Sequence, residues 1–166
     1  MDEDAYRQTY EEVNANYCVF EKGILTTQAG CRLCQKMLIA EREAANCTDT
    51  QAQQTCKQFL EVMKAQARFS LKLSDPSQML GHAKAIKVQI GSLCGVYRAL
   101  NPEQPVPMPI PEIAGLIDEA IQRYGALENL PFSEIIPFIS AYEGRKRRRR
   151  KKQPGSLAFS GSSTLQ

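Results

Sequence analysis

Apolar residues recur at intervals of three and four along most of this chain, and no run of β-branched residues alternates with period two. Helix is therefore expected nearly throughout. The pattern predicts a first helix over 6–17 and a second over 19–29, interrupted by Gly23 and closed near Gly30. A third is expected over 32–45, where Leu33, Met37, Leu38 and Ala40 stand among Lys36, Glu41, Arg42 and Glu43. Thr48, with Gln51 three residues on, has the form of a capping box. It would open a fourth helix running to about residue 71, whose apolar stripe is Cys56, Leu60, Met63, Ala67 and Leu71.

Ser74, Asp75 and Pro76 break that helix and start a fifth over 77–100, with Met79, Ala83, Ile86, Ile90, Leu93 or Cys94, and Tyr97 on its apolar face. Five prolines, at 102, 105, 107, 109 and 111, predict an extended linker. A sixth helix follows over 112–124 with Gly125 as its terminator, and a seventh begins near Pro131, bent or ended early by Pro137. The expected fold class is all-α: a single irregular helical bundle of six to seven helices with a disordered basic C-terminal tail. Within it, residues 1–73 would form a cysteine-rich half, 74–143 an apolar helical half packed on it, and 144–166 the tail.

Charge separates the tail from the rest. Lysine and arginine number 21 against 18 acidic residues, but eight of them form one run: Arg145, Lys146, Arg147, Arg148, Arg149, Arg150, Lys151 and Lys152. Without it, 13 basic residues face 18 acidic ones, so a negative body carries a cationic end. Such a run repels itself and seeks polyanions. Nucleic acid would be bound through its phosphates, with strong salt dependence and no reading of bases. An acidic protein partner fits equally, an anionic membrane surface is a further candidate, and the run can also fold back on the body.

The chain starts Met1, Asp2, Glu3, Asp4, acidic where an export signal or a mitochondrial presequence would be basic. No uncharged apolar run approaches the ~20 residues of a membrane-spanning helix. A cytoplasmic protein without a transmembrane segment is expected, and that setting makes the cysteines informative. Five of the six, Cys18, Cys31, Cys34, Cys47 and Cys56, fall within 39 residues. In a reducing compartment such a cluster points to metal or redox chemistry rather than to a disulfide framework.

Cys31 and Cys34 would share one helical turn, while Cys18 and Cys47 precede predicted helix starts, where thiolates are favoured. Four thiolates suit tetrahedral zinc or an iron-sulfur cluster. Structural zinc usually shows two short cysteine pairs; here there is one, which favours an iron-sulfur cluster over zinc. Arg42, close in sequence, is a candidate to neutralise an anionic cofactor and tune its potential from outside the ligand shell. Cys94 reads as a packed hydrophobe, and Cys56 fits either account. His82 is the sole histidine, which excludes sites built on two or more, and no glycine-rich phosphate loop occurs.

These features favour a small accessory protein whose cysteine-ligated centre serves redox sensing, electron transfer or structural clamping, a binding protein more than an enzyme. Two alternatives use the same residues differently. One is a metal-free helical adaptor that binds through its tail, its cysteines merely buried. The other is a thiol-disulfide switch through Cys31 and Cys34.

Overall fold

Two short strands overturn the all-α expectation. The computed structural model describes residues 2–75 and 77–144, and where a third helix was expected it contains an antiparallel hairpin, β1 (Cys34–Ile39) and β2 (Arg42–Cys47). The fold is α+β. Cys34 stands opposite Cys47, and Ile39 opposite Arg42. The hairpin is held by contacts distant in sequence. Residues 16–18 run beside β2, where the Cys18 N–H donates to the Ala45 carbonyl (2.9 Å) and the Cys47 N–H to that of Asn16 (2.7 Å).

Ala44 and Ala45, on opposite faces of β2, are fully buried, and α2 (Glu21–Leu25) packs against the strand. The Glu21 carboxylate accepts from the Ala45 N–H and from the Tyr10 hydroxyl, both at 2.8 Å. Tyr10 belongs to α1 (Glu3–Val13), which buries none of its own residues and depends on such polar ties.

Helix α3 (Thr50–Gln66) is capped by Asp49, whose side chain accepts from the Ala52 N–H at 2.9 Å. Thr48, expected in that role, instead donates its hydroxyl to the Leu33 carbonyl. Phe59 and Met63 on α3 are fully buried, and the Phe59 ring packs against Phe20 with centroids 6.3 Å apart.

Helix α4 (His82–Ile86) continues through a π turn (Lys87–Gly91) into α5 (Ser92–Leu100). Residues 88–96 are buried all round rather than along a stripe. Met79, expected on that stripe, is 90% exposed. Gly91 and Gly95 let the backbone of α7 (Phe132–Ala141) approach directly, and α7 runs through Pro137 without ending there. Between them in sequence comes α6 (Ile113–Tyr124), closed by Gly125 at φ 86°, the left-handed conformation glycine accepts without strain. The proline-rich stretch before α6, expected to be an extended linker, instead turns at 102–103 and bends at 108–109, and its buried Ile110 pairs with Ala29 in a parallel bridge.

One cluster of buried side chains runs from Cys18 and Phe20 to Ile139. No helix among the described residues is long and apolar enough to cross a membrane. The basic run, 145–152, lies outside the described residues.

Candidate metal centre

Each early cysteine is placed by a different local device. Cys31 and Cys34 bracket a tight turn, closed by the Cys34 N–H donating to the Cys31 carbonyl (3.1 Å), and β1 starts at the second of them. They do not share a helical turn. Cys47 ends β2 directly opposite Cys34, Cys18 sits on the segment that edges β2, and Cys56 lies on α3. The start of α6 closes the space through Ile113 and Ala114.

These five cysteines line one cavity of about 20 Å³, whose other walls are mostly hydrocarbon from Val19, Phe20, Leu33, Ala52 and Ile113. A single water-sized particle needs roughly 10–15 Å³ measured in this way, so the space takes one ion. All six cysteines of the chain are free thiols.

Burial sets their protonation. It pushes the Cys18 thiol far above the ordinary range and Cys56 up to about 12, and it raises Cys31 and Cys34. The sulfurs also disfavour one another's ionisation: Cys31, Cys34 and Cys47 act on Cys18, and Cys31 and Cys47 on Cys56. Opposing this, backbone N–H groups of Phe20 and of Leu33 and Ala114 are directed at the sulfurs of Cys18 and Cys31 respectively, and the Lys36 ammonium favours a charged Cys34. The thiolate expected at Cys18 from a helix start is thus corrected: in an apolar wall, lost solvation outweighs the dipole. Such thiols ionise when a soft cation displaces their protons.

Glu112 and Arg32, neither singled out by the sequence, brace this site. Glu112 caps α6 by accepting from the Gly115 N–H (3.1 Å), accepts from the Arg32 N–H (3.0 Å), and pairs with the Arg32 guanidinium. It also accepts from the Cys31 thiol. Burial works against its charge, but these hydrogen bonds and Arg32 together hold its carboxyl below the usual value. The available signal was an acidic residue directly between the proline stretch and an apolar helix.

The other candidates lie elsewhere. Arg42 stands at the turn end of the hairpin, away from Cys34 and Cys47, where it pairs with Glu3 (2.9 Å) and covers the Tyr6 ring. Cys94 is buried on α5, its sulfur 3.8 Å from that of Met108. His82 begins α4. Among the described residues, no three His, Cys, Asp or Glu side chains stand as they would around a bound ion. The Cys47 thiol donates to the Asp49 carbonyl (3.1 Å), and that of Cys31 to Glu112. Comparison with family models, curated proteins and solved structures finds no match to this chain.

Proposed function

We propose that this chain is a small metal-thiolate protein in which four of Cys18, Cys31, Cys34, Cys47 and Cys56 hold one zinc ion, clamping the N-terminal segment, the hairpin and α3 together. The observation that carries this reading is the convergence of five cysteines, from four separate stretches of chain, on a space with room for one ion. Cys94 is the contrast, a packed cysteine beside a methionine sulfur. Soft donors and tetrahedral demand suit zinc. Its binding energy would then be folding energy, contributed where the two-stranded sheet is otherwise small.

An iron-sulfur cluster, in redox sensing or electron transfer, is the second reading. It is supported by the N–H groups directed at Cys18 and Cys31, donors of the kind that set cluster potentials. It requires the cavity walls to move apart, which is why zinc comes first. Metal analysis and visible absorbance of the full chain, purified anaerobically, test both. One zinc per colourless chain is expected. Iron with broad visible absorbance selects the cluster, and neither metal returns the chain to the adaptor or thiol-disulfide switch reading.

For residues 145–152 the proposal is sequence-blind binding of a polyanion, nucleic acid or an acidic protein surface, from the eight positive charges in succession. Deleting them should abolish salt-sensitive retention on heparin while helicity is kept. Unchanged retention would refute it.

A further inference from the structure

Cys31 and Cys34 line a second space besides the inner cavity. On the outer side they form part of a cleft of about 370 Å³, walled by Ile24, Ala29, Pro109 and Ile110. Among the described residues, Lys36 is the sole charged side chain lining it and enters no ion pair. Volume, apolar walls and a few polar groups are those of a small-molecule site. Cys18 borders the groove under α1 but is only 9% exposed, and neither Cys47 nor Cys56, both half-buried, lines this cleft. Cys31 and Cys34 are therefore the pair through which the inner cavity meets a ligand in the cleft.

The charge at the mouth selects what can arrive. A hydrated dication approaching alone is repelled by the Lys36 ammonium, whereas a metal carried by anionic thiols bears net negative charge and is attracted. We infer that this cleft receives a low-molecular-weight thiol bearing a carboxylate, which docks on Lys36 and hands its metal to Cys31 and Cys34. The inference rests on the metal-thiolate reading above. In each exchange one bond from metal to carrier sulfur breaks and one from metal to cysteine sulfur forms. The proton of the Cys31 or Cys34 thiol passes to the departing carrier sulfur. No electrons move, and the metal keeps its charge.

The test uses zinc-free full-length protein and compares zinc presented as its N-acetylcysteine complex with zinc presented with neutral 2-mercaptoethanol, following uptake by stopped flow. Lys36→Glu, on an exposed strand position, should slow transfer from the anionic carrier by about threefold to tenfold at low salt. The Lys36 ammonium also favours a charged Cys34, so its loss slows the neutral carrier as well, but by less, and the readout is the ratio of the two rates. Equal slowing from both carriers, or no slowing, would overturn the inference. A metal-independent arm measures alkylation of Cys34 by iodoacetate relative to iodoacetamide, a ratio expected to fall in Lys36→Glu by a similar factor. An unchanged ratio counts against anion docking in the cleft. Wild-type protein that takes up zinc from no source refutes the metal-thiolate reading and the hand-over with it, whatever the alkylation ratio.

Discussion

Cys34 and Cys47 face each other across the open end of the hairpin, so the first residue of β1 and the last of β2 deliver two sulfurs to the same cavity. Strand register does here what a second cysteine pair does in sequence. Cysteines 13 positions apart become nearest neighbours across the sheet, on the ~5 Å scale of directly opposed residues.

Serine substitution at each cavity cysteine should therefore separate ligands from wall. Four of the five variants should lose zinc affinity by more than about 100-fold, beyond the roughly 10–100-fold typical of outer-shell partners. Cys94→Ser, buried but outside the cavity, should bind as the wild type does. Competition against a chromophoric chelator reads the difference, and uniform indifference of all five variants would dissolve the site.

Glu112→Ala removes a cap, an ion pair and a brace on Cys31 together. Zinc-free protein should lose on the order of 1 kcal/mol at neutral pH. The folded carboxyl lies below its ordinary value of 4.5, so its contribution is present above that pH and is lost as pH falls through the lower folded value. The gap between wild type and variant, measured by urea unfolding, should close on acidification below 4.5. A gap that is constant from neutral to strongly acidic pH would contradict the assignment.

Gly91 and Gly95 are needed for the approach of α7, not for their backbone angles. A Cβ would come within 2.7 Å of the Ile139 Cα at Gly91 and within 2.8 Å of the Ile135 Cα at Gly95. Helix propensity alone makes glycine to alanine stabilising by roughly 0.5–1 kcal/mol. Overpacking should reverse the sign, so that each alanine variant is destabilised by roughly 1–3 kcal/mol in denaturant titration. Stabilisation by either would show that the two backbones are not that close.

Cys94 supplies an alkaline signature. Burial raises its thiol from 9.0 to about 11, so the stability tied to its neutral form is complete below pH 9.0 and is lost as pH rises toward 11. The advantage of wild type over Cys94→Ala should shrink by about 1.4 kcal/mol per pH unit across that window. Thermal unfolding over an alkaline series measures it, and a flat difference would place Cys94 in water rather than in the core.

Helices with strong local signals were legible from the chain. The 112–124 segment, with Gly125 behind it, lies within one residue of α6, because its stop is a glycine and its apolar positions recur at helical spacing. The 32–45 segment misled for a physical reason. Its alanines, glutamates, lysine, leucines and methionine are good helix formers, and the hairpin turns at Ala40 with φ 55° instead of at a glycine or asparagine. What makes it a sheet, the 16–18 segment and the Glu21 carboxylate, lies far away in sequence. The same distance hid Glu112, 80 residues beyond Arg32, and left the grouping of the five cysteines as an expectation until the fold placed them around one cavity. Arg42 was near the cysteines in sequence only; the strand carries it to the opposite end of the hairpin.

X-ray absorption at the zinc edge, on the loaded full-length chain, tests the central claim most directly. The account predicts a shell of four sulfurs at about 2.3 Å. A shell filled by nitrogen or oxygen neighbours at about 2.0–2.1 Å would contradict it.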